Sequence, residues 1–111
     1  MGSSQRRKGR AWEQTVVRML REVMPHESVM RCYQYDQNHG AADVQAGPLH
    51  IECKCGKQPN PRAAIAQAEE TCADGMMAVA VIKDDRKRPF VVLRLDSFLE
   101  IVKNWRLDEA G

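Results

Sequence analysis

Asp43 is followed at short distance by Ile51-Glu52-Cys53-Lys54, and Glu13 lies upstream in Gly9-Arg10-Ala11-Trp12-Glu13. Two carboxylates and a lysine separated by one turn are the groups that metal-dependent phosphodiester cleavage requires. Carboxylate oxygens suit a hard divalent cation such as Mg²⁺, and an ammonium group beside it adds positive charge where an anionic phosphate must be approached. Successive side chains of a strand alternate faces, so Glu52 and Lys54 point one way and Cys53 points into the opposite layer. If Ala42-Asp43-Val44 pairs with Leu49-His50-Ile51-Glu52-Cys53 around Ala46-Gly47-Pro48, Asp43 comes to lie beside Glu52. Glu52 and Lys54 alone also fit a plain ion pair on an exposed strand. Asp43 and Glu13 turn the balance toward a nuclease.

The elements that must position these residues follow from periodicity. Trp12, Val16, Met19, Leu20 and Val23 recur at spacings of three and four, which predicts a helix from Arg10 to about Met24, ended by Pro25. Ser28–Tyr35 is rich in β-branched and aromatic residues and reads as a first strand, followed by the turn cluster Asp36–Gly40. A second strand covers about Ala42–Gln45 and a third about His50–Cys55. Asn60 can cap a helix that has Pro61 in its first turn and runs to about Thr71. Its alanines allow close approach to a sheet. Met76–Ile82 is a nearly continuous apolar run, as expected of a central strand covered on both faces. After the turn Asp84–Arg88, Phe90–Leu95 reads as another strand. Ser97 and Glu100 form a capping box for a last helix to about Trp105. The order α-β-β-β-α-β-β-α gives an α/β fold, a mixed central sheet flanked by helices.

Composition agrees. The chain has 111 residues, 43% of them hydrophobic, which suits one domain over 1–111 with its own core. No apolar run approaches the roughly 18–20 residues that cross a bilayer, and the polar, basic start has no signal-peptide core. A cytoplasmic protein without a membrane partner is expected, or one in the host cytoplasm if the gene is a phage's. Residues 1–31 hold seven Lys and Arg against three acids, and the rest hold ten against twelve. Residues 1–8 therefore read as a basic, flexible arm. Arg6, Arg7, Lys8, Arg10 and Arg31 are candidate phosphate contacts, with Lys57, Arg62 and the loop residue His39 nearer the motif. Cys53-x-Cys55 is too short a pair for a usual zinc site and has no second pair to complete it. Cys32, Cys53, Cys55 and Cys72 are read as structural thiols.

The order of elements with Glu13, Asp43 and Glu52-x-Lys54 resembles the PD-(D/E)xK nuclease superfamily and, within it, archaeal-type Holliday junction resolvases and their phage relatives. The resemblance runs from Arg7-Lys8-Gly9 through Gly40-Ala41-Ala42-Asp43-Val44 and Ile51-Glu52-Cys53-Lys54 to Gln67 and the Met76–Ile82 strand. Ala42 replaces the proline of the superfamily name, and Asn38 and His39 stand where such resolvases often carry Ser or Thr. The resemblance implies a restriction-endonuclease-like core and Mg²⁺, with Mn²⁺ able to substitute. Asp43, Glu52 and the Cys53 carbonyl would hold the ion, with Glu13 acting through water or a second ion. Lys54 would orient or deprotonate water, or stabilise charge on the phosphate, and Gln67 would position that water or hold Lys54. It also implies DNA as substrate, above all branched four-way junctions, and a homodimer, since two symmetric cuts need two sites. Met76, Met77, Phe90, Phe98 and Trp105 are candidates for the dimer surface, although most of them suit a core. Other activities with the same residues are restriction-like cleavage, nicking and flap or fork cleavage. A catalytically inactive DNA-binding module is a further alternative.

Overall fold

The computed structural model describes residues 2–32 and 42–110. Helix α1 (Gly2–Val23) leads into strands β1 (Val29–Arg31), β2 (Val44–Ala46) and β3 (Leu49–Gly56). Helix α2 (Pro61–Thr71), strands β4 (Met77–Asp84) and β5 (Phe90–Val92) and helix α3 (Leu95–Ala110) follow. The five strands form one mixed sheet in the order β1-β2-β3-β4-β5. β1, β2 and β3 run antiparallel, β3 and β4 are parallel across the α2 crossover, and β5 returns antiparallel on β4. The α/β class and the order of elements are those expected from the sequence.

Each face of the sheet has its own core. On one, Trp12, Val16 and Val17 of α1 pack on Val29, Val44, Ala46, Ile51, Cys53 and Val79. On the other, Ala64, Ile65 and Ala68 of α2 pack on Ala80 and Ile82. Small side chains let α2 lie close to the strands. Asn60 caps α2 as expected, its Oδ1 accepting from the Ala63 N–H at 3.1 Å. The β2–β3 turn is the two residues Gly47 and Pro48, between Ala46 and Leu49, which face each other. Gly47 has φ +52°, a left-handed conformation that favours glycine, and a Cβ there would crowd the Glu27 carboxylate at 3.0 Å. Arg21 donates to the Val29 carbonyl from Nε (3.2 Å) and from an Nη (2.9 Å), fastening the end of α1 to the edge strand.

Several boundaries differ from expectation. α1 begins at Gly2, not Arg10, so the basic run 2–9 is helical instead of a loose arm. Gln5, Arg6, Arg7 and Lys8 are good helix formers with no breaker among them, and a single Gly9 costs only about 1 kcal/mol. Lys8 is also anchored across the fold by Asp85 at 2.6 Å. β4 extends two residues beyond Ile82. β5 stops at Val92, because α3 starts at Leu95 with the Phe98 N–H bonded to the Arg94 carbonyl. Ser97 thus lies inside the helix and is not its cap. The fork from Arg94 to Glu69, at 3.0 and 2.8 Å, fixes the turn instead. The stretch of the expected first strand beyond Cys32, the turn cluster and His39 lie outside the described residues.

Candidate active site

Alternation along β3 decides which side chains meet. Ile51 and Cys53 enter the α1 core, while His50, Glu52 and Lys54 share the α2 face. Val44 pairs with Ile51, so the residue before Val44 falls level with Glu52. That residue is Asp43, and the expected juxtaposition forms. Asp43 and Glu52 are each only 5% exposed. One Asp43 oxygen accepts from the Cys53 N–H at 2.9 Å, and its carboxyl is hydrogen-bonded to Glu52.

Two carboxylates this close and this dry cannot both carry charge at little cost. Burial, then the Asp43 charge and the hydrogen bond to it, push the Glu52 carboxyl up to about 7. Lys54 opposes the shift from 3.4 Å, its side chain 36% exposed. This is not the ion pair of an exposed strand, since the acid is buried and stands beside a second acid. Within a strand the N–H and C=O of one residue point to the same edge. The Cys53 N–H reaches toward Asp43, so the Cys53 carbonyl projects to that edge also. Two carboxylates and a carbonyl make an all-oxygen donor set whose excess negative charge a small dication would relieve. The residues therefore fit Mg²⁺.

Glu13 does not complete a third ligand. Its carboxylate accepts from Arg31 Nε at 2.8 Å, on the α1 side of the sheet. No three acid, histidine or cysteine side chains converge into a metal-binding group among the described residues. Arg31 is correspondingly engaged by an acid, which weakens its expected role as a phosphate contact. Gln67 is exposed on α2 and bonds neither Glu52 nor Lys54.

The missed residue is His50. It is 5% exposed, and its Nε2 lies 2.7 Å from Thr71 Oγ1, directly below Glu52 on the same face. Burial holds the imidazole below its ordinary pKa despite the opposing Asp43 charge, so it is neutral at physiological pH. Its signal was the period-two series His50, Glu52, Lys54, a polar ladder that climbs from the interior to the surface.

At the end of β3, on the α1 side where Cys53 and Cys55 face, a cleft of about 460 Å³ is lined by Gln5, Lys8, Lys54, Lys57 and Asp85. Two expected phosphate contacts from distant parts of the chain, Lys8 and Lys57, thus share one cleft with Lys54. Arg6, Arg7, Arg10 and Arg62 are exposed. The cysteines are free thiols, and burial, followed by the Asp43 and Glu13 charges, pushes Cys53 far up, so it stays protonated and inert. No helix among the described residues is long and apolar enough to cross a membrane. No family model, curated protein or solved structure matches the chain.

Proposed function

We propose that this chain is a metal-dependent, structure-selective DNA endonuclease with a restriction-endonuclease-like core, which resolves four-way junctions as a dimer. The observation that carries the reading is the buried Asp43–Glu52 pair with Lys54 at its outer rim. A pair of hydrogen-bonded carboxylates in a dry site is unfavourable as a structural element. It is readily explained as a site kept for a dication. A bound Mg²⁺ would polarise the scissile phosphate and acidify a water.

The chain's own residues do the rest. Asp43 is held by the Cys53 N–H and Glu52 by Asp43 and Lys54, so both carboxylates are oriented before any ligand arrives. Lys54, its side chain 36% exposed, can meet a phosphate oxygen and stabilise the charge that builds in the transition state. Lys57 would contact the flanking phosphates, and Lys8 would join it only on release from Asp85, supplying affinity without reading bases. Recognition of a branched shape through phosphates needs no base-reading insertion, and the cleft offers none.

The direct test is incubation with Mg²⁺ and labelled four-way junction, flap, fork and linear duplex. Paired symmetric nicks confined to the junction are expected. Preference for a flap or fork would make the enzyme a nuclease of that class, and equal cutting of linear duplex would refute junction resolution.

A further inference from the structure

Helix α1 turns its apolar stripe into the sheet and a row of arginines out of it. Arg10, Gln14, Arg18 and Arg21 recur at spacings of four and three. At roughly 100° per residue they share a sector about 80° wide and about 17 Å long. All four are exposed, and no acid falls within the sector, Glu13 and Glu22 lying to either side of it. Among the described residues no ion pair neutralises Arg10 or Arg18, whereas Lys8, Arg31 and Arg94 are each paired with an acid. Arg21 is held in place by the Val29 carbonyl, which takes two of its five N–H donors and leaves the others. Between the row and edge strand β1 lies an open hollow of about 510 Å³, lined by Gln14, Val17, Arg18, Arg21, Glu22 and Arg31. Three guanidinium groups thus face one carboxylate there, a surplus that attracts anions.

We propose that this row and its hollow bind the phosphate backbone of a duplex nucleic-acid arm other than the one held at the Asp43–Glu52 pair. The planar fork of arginine meets phosphate oxygens two at a time, and every cation of the row is an arginine. A regular row of unpaired cations suits a polyanion with regularly repeated charge. A membrane surface would call for apolar side chains beside the row. Trp12, Val16 and Val17 are instead buried against the sheet, and exposed Met19 and Val23 stand roughly 100° or more round the helix from the row. The position of the row assigns it a separate arm. α1 covers one face of the sheet, while Glu52 and Lys54 share the α2 face. The sheet and a helix about 10 Å across therefore separate the row from the catalytic pair. A duplex is too stiff to bend round that thickness, so one straight arm cannot occupy both places. Two arms of one branched molecule can, and their joint binding gains from effective concentration.

Only the choice of a branched substrate rests on the proposed function, and binding can be read without cleavage. Fluorescence anisotropy in EDTA, on a labelled four-way junction and on a linear duplex of one arm's sequence, compares wild type with Arg10→Ala/Arg18→Ala and with the control Arg88→Ala/Lys103→Ala. The control removes two exposed charges elsewhere, and alanine favours helix as well as arginine does, so α1 stays formed. The row variant should bind the junction roughly ten- to sixtyfold more weakly at about 100 mM salt and lower the log–log salt slope by roughly 1.8. Its affinity for the linear duplex should fall less than about threefold, because a single arm can still take the catalytic side. The control should change either affinity by less than about threefold, its charges being screened from the row. Retained junction affinity in the row variant overturns the inference, and so does a wild type that binds neither DNA. An equal loss on junction and duplex overturns it by placing one arm on both surfaces, and an equal loss in the control by leaving only net charge. Vesicles of phosphatidylserine that need the row while the junction does not would assign it to a membrane. Junction binding that depends on the row, with no cleavage once Mg²⁺ is added, would refute the nuclease reading and leave this surface standing.

Discussion

Replacing Glu52 with Gln should make the metal-free protein more stable while destroying its activity. The folded state raises the Glu52 carboxyl from an ordinary 4.5 to about 7. An acid with a raised folded-state pKa contributes stability that is intact below 4.5 and is lost as pH climbs through 7. Wild type therefore carries a penalty at alkaline pH that an amide cannot carry. Two and a half units correspond to about 3 kcal/mol at pH 8.5, shrinking to under about 1 kcal/mol at pH 5. The amide can still donate to Asp43, and loss of the Lys54 ion pair is already contained in the net shift. For a domain of this size the gain is worth roughly 10 °C in Tm or more. Urea melts of both proteins in EDTA at the two pH values supply the comparison. Titrating Mg²⁺ at pH 8.5 should then close the gap by stabilising wild type alone. A variant less stable than wild type at pH 8.5, or an advantage equal at both pH values, would refute the idea that the two carboxylates strain the fold.

Changing Arg6, Arg7 and Lys8 to alanine should weaken binding to every DNA substrate alike and flatten the log–log salt dependence by roughly 0.9 per lost phosphate contact. A loss confined to one branched substrate in a salt series would mean that the N-terminal turns of α1 read shape. Ile82 is fully buried beneath α2, so Ile82→Ala should cost about 2–5 kcal/mol in urea melts. Asn60→Ala should cost about 1 kcal/mol by removing the cap bond to the Ala63 N–H, and Asn60→Asp should retain it.

The layering was legible because it depends on local periodicity. The stripe from Trp12 to Leu20 and the run Met76–Ile82 identified a helix and a central strand. The short Gly47-Pro48 turn was enough to set Asp43 against Glu52. What escaped depends on contacts between distant parts of the chain. Glu13 faces the motif in sequence order, but Arg31 claims it from the edge strand. His50 looked like any strand residue until Thr71 of α2 arrived beside it. Phe90, Phe98 and Trp105 suited a core by composition, yet they stand 43%, 50% and 61% exposed. Hydrophobic spacing finds the apolar face of a helix but not the direction in which it is turned. The start of α1 is not marked by charge: a basic run suits an open arm, yet Arg6, Arg7 and Lys8 each favour helix and α1 takes them in.

In the proposed reaction Asp43 and Glu52 hold the ion that makes phosphodiester hydrolysis possible. The most direct test of this role is the single-turnover rate of strand cleavage on a four-way junction, for wild type, Asp43→Asn and Glu52→Gln, with Mg²⁺ and with EDTA. Cleavage is expected from wild type with Mg²⁺ only, and none from either variant. Binding of the junction should be preserved or tightened in both variants, because each removes an acid near phosphates. Cleavage by wild type in EDTA, or wild-type rates in either variant, would contradict this role.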